Sequence, residues 1–245
     1  MNNKLFVFNS CFVKNVFVIN NYSKKVKNKL LIISILTLIS ILMLSFNIFK
    51  SNQEEDFWKW FAKNEKFIYE NVDNNYKQEK LFDDISSRLH KIDENLVFEF
   101  SPIHENNIRE FSISADGIKE SFPVVEKLIS KSPKIKNWQF NAFRQRVPGD
   151  GLTLDFGKFK IGYDDIYFRH TTSNNELGVE LNIRNYDESA QMQNAIYVLL
   201  DGLLGEYDVT MNIDWIEWNK LDESNKDNLN KLTELRDIVD SRKQK

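Results

Sequence analysis

Beyond residue 50 this chain of 245 residues contains no cysteine; its single one is Cys11. That gap excludes disulfides, thiolate metal sites and a cysteine nucleophile from residues 51–245, and it fits an oxidising compartment. Histidine is nearly as scarce: His90, His104 and His170 share no metal-ligand spacing. HExxH, Walker A, GxGxxG, GxSxG and EF-hand patterns are all missing. Neither a metal ion nor any other cofactor is therefore expected. The acidic pairs Asp83-Asp84 and Asp164-Asp165 read as solvated surface or turns, because adjacent strand residues point apart and glycosidase chemistry needs two carboxylates facing each other across a cleft.

Acidic residues are absent from the first fifty positions, which hold seven lysines. Residues 51–245 are left with 26 basic and 36 acidic side chains, a net charge of −10. Such a domain repels nucleic acid, whose binding depends on neutralising phosphates, and does not lie flat on an anionic lipid surface. Charge of either sign is absent between Leu30 and Phe49, a run of twenty residues preceded by Lys24, Lys25, Lys27 and Lys29. At about 1.5 Å of rise per residue, a helix of that length crosses a hydrocarbon core of about 30 Å. The lysines lie before the run, with Lys50 and then Glu54, Glu55 and Asp56 after it, so basic flanking places the N-terminus in the cytoplasm and residues 51–245 on the far side of the membrane. The alternatives are a signal peptide removed on secretion, for which Ser45-Phe46-Asn47 is a poor cleavage site, and a fully buried core helix.

The arm before the run, residues 1–29, lacks Asp, Glu, Gly, Ala and Pro and consists largely of residues with AT-rich codons. Either translation starts further in, at a codon such as that of Val26, or the arm is a short, poorly ordered cytoplasmic tail. The intact mass of the native protein distinguishes the two.

Four segments follow from this division: the basic arm 1–29, a signal anchor at 30–49, an α+β domain at 51–221 and a polar C-terminal helix at 222–245. Residues 54–72 read as a helix with acids in its first turn and Phe57, Phe61, Ile68 and Val72 at helical spacing. Residues 78–92 read as a second, carrying Leu81, Phe82, Ile85, Leu89 and Ile92. Packed as a hairpin, they bring Glu65 and Arg88 together as a partly buried structural pair. Period-two alternation then predicts strands at 96–100, 108–114 and 138–142, with a helix from Ile118 to Ile129 between the second and third, and Pro123 in its first turn. Strands at 152–155, 159–162, 166–170 and 178–184 follow. A helix capped by Asp187 or Ser189 runs to Gly205, and Val209–Trp218 returns as a strand. The expected fold is α+β, with two ββαβ-like modules forming one largely antiparallel sheet and helices on one face. Leu229, Leu232, Leu235 and Ile238 form the seam of the last helix.

Alternation places Arg144 and Arg146 on the face of Trp138, Phe140 and Ala142, a geometry suited to clamping a carboxylate of a ligand or partner. Pairing with the protein's own acids, for instance Glu180, is the other reading. Trp215 and Trp218 straddle the faces of their strand, and Trp218 is taken with the two arginines as a binding candidate.

Three segments resemble a family of uncharacterised bacterial proteins: Trp58-Lys59-Trp60-Phe61-Ala62-Lys63-Asn64-Glu65, Pro133 to Phe140, and Leu203-Leu204-Gly205-Glu206. The resemblance covers about residues 54–218 and implies that Asn64, Glu65 and Glu206 belong to a shared framework. No activity comes with it. The expected function is that of a membrane-anchored, non-enzymatic protein-binding domain at the cell envelope. The alternatives are an enzyme, of hydrolase class, with a pocket built from Glu65, Arg144, Arg146 or His170, and an immunity or inhibitor protein encoded beside a toxin-like gene.

Overall fold

The computed structural model describes residues 35, 37–40 and 53–243. The chain divides into two compact units, Met1–Asn52 and Gln53–Lys245. In the first, Ile35 and Thr37–Ser40 are helical, and Ile35, Leu38 and Ile39 are exposed. The arm 1–29 and the rest of the apolar run lie outside the described residues. Among the described residues no helix is long and apolar enough to cross a membrane.

The second unit is mixed α+β and opens with α1 (residues 53–71) and α2 (Gln78–Leu89). Three strands follow, β1 (Val97–Phe100), β2 (Arg109–Ser114) and β3 (Trp138–Ala142), with α3 (Phe122–Ser130) between the second and third. Pro123 sits in the first turn of α3, where its missing N–H has no helical partner to lose. Strand β2 pairs antiparallel with β1 and parallel with β3. One face of this sheet carries Phe98, Phe100, Phe111, Trp138 and Phe140, on which the aromatic side of α1 packs; Phe61 lies 5.1 Å from Phe111 and 5.0 Å from Trp138, ring centre to ring centre. Helix α2 meets the same face through Phe82, 5.3 Å from Phe98. Helix α3 closes the layer, its Leu128 carbonyl accepting a 2.7 Å hydrogen bond from the Trp58 indole.

The next strands, β4 (Thr153–Asp155) and β5 (Lys160–Gly162), form a hairpin of their own. Strands β6 (Ile166–Ser173) and β7 (Glu176–Ile183) then pair antiparallel, α4 (Ala190–Leu204) and α5 (Glu206–Asn212) cross over, and β8 (Trp215–Lys220) returns parallel to β7. Ser189 caps α4 by accepting the Met192 N–H at 3.2 Å, and Gly205, at φ +83°, ends it. The apolar side of α4, Met192 to Leu203, packs on Phe168, Val179, Leu181 and Ile183 of the sheet.

Two ββαβ modules are therefore present, but they form separate sheets rather than one: β1-β2-β3, and a second in the order β8-β7-β6-β9. Each module joins one antiparallel to one parallel pair, since a strand reached through a helical crossover comes back in the same direction, and β9 adds a second antiparallel pair to the second sheet. Two further expectations fail for local reasons. Val209 belongs to α5, not to a strand, because Gly205 restarts the helix with Glu206 and Asp208 in its first turn. The segment 222–245 is no continuous helix: Asn230–Lys231 pairs with Phe168 and Tyr167 as β9, and α6 begins only at Leu235, running to Arg242. Leu232, Leu235 and Val239 are its buried residues, with Ile238 packed beside them.

Candidate functional site

A cleft of about 610 Å³ opens between the loops that follow β2 and β3 and the α4–α5–β8 segment. Asp116 and Gly117 enter it from the β2 loop, Arg144 from beyond β3, Tyr197, Val198 and Asp201 from α4, and Asp214, Trp215 and Ile216 from the start of β8. One carboxylate holds these pieces in register. Glu206 is 1% exposed, and its Oε1 accepts the backbone N–H groups of Ala115 (3.2 Å) and Gly117 (3.0 Å), while Oε2 accepts that of Arg144 (3.1 Å). The Glu206 N–H in turn donates to the Arg144 carbonyl at 3.1 Å. Asp116 (φ +53°) and Gly117 (φ +78°) are both left-handed, the conformation that Asp and Gly adopt most readily, and the β2 loop delivers two amides to one oxygen.

Arg144 does not continue the face of Trp138. Strand β3 stops at Ala142, and Phe143 at φ +67° interrupts the alternation, placing its own ring 4.4 Å from Phe122 in the core. The Arg144 guanidinium lies 2.9 Å from Asp116, 3.3 Å from Asp201 and 3.8 Å from Glu99, which belongs to the opposite face of the sheet. Burial drives the Asp201 carboxyl up, joined by the nearby Glu206 and Asp116 carboxylates and opposed by Arg144; the result is about 7. Burial also raises Glu99, which Glu206 and Glu110 crowd and Arg144 relieves.

The pH dependence follows in sign. Asp201 takes up a proton on folding anywhere between its ordinary 3.8 and about 7, so stability falls as pH rises through that window and is level above it. Asp201→Asn is expected to flatten this slope, by an amount below a ceiling of about 4 kcal/mol set by three pH units at about 1.4 kcal/mol each. Thermal melts of the two forms from pH 4 to pH 8 check it; parallel profiles would contradict it.

Arg146 is held elsewhere. Its Nε donates to the Leu204 carbonyl (2.7 Å), its Nη1 and Nη2 to Asp240 (2.9 and 2.6 Å), and Nη2 also to Asp208 (3.0 Å). The two arginines thus sit among five carboxylates of their own protein, a setting that disfavours an anionic ligand. Glu180, named as a partner from the sequence, lies 3.9 Å from Arg169 instead. Trp218 points to the core side of β8, 5.3 Å from Tyr197 and 6.3 Å from Tyr186. The exposed tryptophan is Trp215, 45% accessible, whose ring lies over Gly178 on the neighbouring strand; a Cβ there would come within 1.8 Å of it.

The Glu65–Arg88 pair is not formed. Glu65 accepts the Trp138 indole N–H at 3.2 Å, whereas Arg88 lies 4.3 Å over the ring of Trp60 and 3.9 Å from Asp84. Residues 60 and 65 are about 140° apart around α1, so a side chain stacked on one does not reach the other. Glu65, Arg144, Arg146 and His170 do not all converge: Arg144 lines the cleft and, with Arg146, Asp208 and Lys243, a neighbouring groove, whereas Glu65 lines neither and His170 is exposed on β6. Asn64 bonds back to the Trp60 carbonyl within α1. Among the described residues no group of His, Cys, Asp and Glu is placed to hold a metal ion.

Sequence reasoning passed over Asp201, Asp116 and Arg109. Asp201 had a signal, being an acid between Leu200 and Leu203 on the apolar side of α4. So did Arg109, which alternation places beside Phe111 and Ile113 on the core face; it is fully buried, and its guanidinium pairs with Asp73. Comparison with protein-family models, curated proteins and solved structures finds no match to this chain.

Proposed function

We propose that residues 53–243 form a protein-binding domain whose contact surface centres on the Arg144 cleft, and that the apolar run at 30–49 holds it at a membrane, on the side away from the cytoplasm. One observation carries the binding reading: Tyr197 and Val198, two large apolar side chains each more than two-fifths exposed, line a cleft of about 610 Å³ together with three aspartates, and Trp215, 45% exposed, stands at its edge with its ring on the other face of β8. Exposed aromatics around a depression, with a polar surround, are the composition of a contact surface. The enzyme reading loses support because only Arg144 and Arg146 of its four named side chains share a groove, each paired there with the protein's own acids. An inhibitor or immunity protein is a special case of binding and would use the same surface.

The membrane tether rests on the uncharged run and its lysine flank. A reporter fused after residue 245 is expected to be active only outside the cytoplasm; cytoplasmic activity would overturn the orientation. For binding, the full chain extracted from membranes is expected to migrate as a complex larger than its own 29.0 kDa plus detergent. The double variant Tyr197→Ala, Val198→Ala is expected to lose the added mass while keeping its melting transition. Identical, monomeric migration of both forms would contradict the reading.

A further inference from the structure

We infer that the partner meets the domain as an extended segment that adds a strand to the free edge of β8, with a basic side chain placed beside Glu217. This rests on the protein-binding reading and adds the form and charge of what is bound.

The main chain is the first support. Strand β8 ends the second sheet, and among the described residues only β7 pairs with the backbone of Trp215–Lys220. Every second residue of the six therefore turns its N–H and C=O outward without a backbone partner, a template for another chain. Edges that stay single are blunted by proline, a bulge or shortness. Strand β8 has no proline and keeps unbroken register with β7 over its whole length.

The second support is what flanks this edge. The part of β6 that β9 leaves uncovered, residues 169–173, is polar, whereas β8 has large exposed apolar side chains on both faces. On the α4 face, Tyr197 and Val198 stand in the cleft that Asp214, Trp215 and Ile216 also line. On the opposite face the Trp215 ring is seated over Gly178 and remains 45% exposed. An added strand, about 4.8 Å beyond β8, lays alternate side chains onto the cleft face and the others beside Trp215. Its main-chain bonds give affinity, and the two faces select its side chains.

Charge selects the occupant. Glu217 lies across from Glu180 in the β7–β8 register, on the face of Trp215, and like charges so placed repel. Glu180 has Arg169 at 3.9 Å, whereas Glu217 has no ion pair among the described residues. A lysine or arginine on the next strand outward relieves that repulsion. A second copy of the chain instead brings another Glu217 and another net charge of −10 to the edge, which disfavours self-pairing.

The test is a titration of the full chain in detergent, read from its backbone amide resonances, with the end-capped hexapeptide Thr-Val-Lys-Val-Thr-Val. Its valines suit the cleft face and its lysine the face of Glu217. Two further forms are N-methylated at alternate residues, in opposite phase. Saturable shifts along β8 are expected from the parent peptide, with slowed hydrogen exchange at alternate amides of the strand. One methylated form should bind at least about tenfold more weakly and the other like the parent, because an added strand bonds through only one of its edges. Glutamate in place of lysine should weaken binding about threefold or more, and Glu217→Lys, a change at an exposed side chain, should reverse that preference. Equal binding of the two methylated forms overturns strand addition, as do shifts confined to residues away from β8. Indifference to lysine or glutamate overturns the basic assignment. If native complexes persist while the peptide leaves β8 unmoved, strand addition falls and the binding reading stands. Peptide binding without any native complex overturns a protein as the occupant. Self-association that slows the same amides without peptide assigns the edge to a second copy of the chain and likewise overturns the inference.

Discussion

Replacing Glu206 by alanine is expected to cost about 3–5 kcal/mol of stability, enough to unfold a domain of ordinary marginal stability. The carboxylate accepts three backbone N–H groups, two from the loop after β2 and one from the chain after β3, and it sits at the junction of α4 and α5. Removing it leaves those donors without acceptors at a site where Ala115 is fully buried, and each orphaned buried donor costs about 1–3 kcal/mol. Part of the loss is recovered by water entering from the cleft, which keeps the sum below three full penalties. Glu206→Gln should fall between the wild type and alanine: one amide oxygen still accepts, while the NH₂ group faces a donor. Because these bonds connect elements of the first ββαβ module to the second, the alanine variant is also expected to lose single-step unfolding. Urea titration of the full chain followed by tryptophan fluorescence checks both points. A variant within about 1 kcal/mol of wild type and still unfolding in one step would remove Glu206 from its structural role.

The second large effect is expected at Arg146. Its guanidinium bonds the Leu204 carbonyl at the end of α4, the buried Asp208 of α5 and both oxygens of Asp240 on α6, with Lys243 paired to the same two acids. Arg146→Ala should cost about 2–4 kcal/mol, since it leaves one largely buried carboxylate short of a partner and undocks the polar edge of α6. The loss should be local first. Amide exchange across residues 235–242 is expected to quicken well beyond that of β7, which lies in the centre of the second sheet. Acid sensitivity provides an independent readout. The hydrogen bond from Arg146 holds Asp240 down at about 2, below its ordinary 3.8. The stability this provides is present above pH 3.8 and disappears as pH falls through about 2, so the alanine variant should lose less on acidification than the wild type does. Unchanged exchange in α6, or an unchanged acid profile, would contradict the clamp.

Most of the secondary structure was legible because its causes are local. Alternation at Phe98–Phe100, Phe111–Ile113 and Trp138–Phe140 marks strands, Pro123 and Gly205 mark helix limits, and Ser189 marks a cap. What escaped depended on partners distant in sequence. Nothing near residues 229–231 shows that they add an edge strand to β6, because Leu229, Leu232 and Leu235 keep the spacing of a helix. The single-sheet expectation failed for a related reason: strand order within each module follows from the crossover, whereas the relation of one module to the other is carried by side chains such as Glu206. At the site, alternation does not give the direction of Arg144 because one left-handed residue, Phe143, breaks it, and phenylalanine gives no warning of that conformation. The exchange of roles between Trp218 and Trp215 was readable only with the register in hand, since it is Gly178 across the ladder that makes room for the exposed ring.

The central claim is that the Arg144 cleft is where this protein meets its partner, and site-specific photocrosslinking in cells tests it most directly. A photoreactive residue at position 197 is expected to give a discrete covalent adduct with another protein, while the same group at position 76, where Tyr76 is 99% exposed and away from the cleft, gives none. Adducts of equal yield at both positions, or at position 76 alone, would contradict the account.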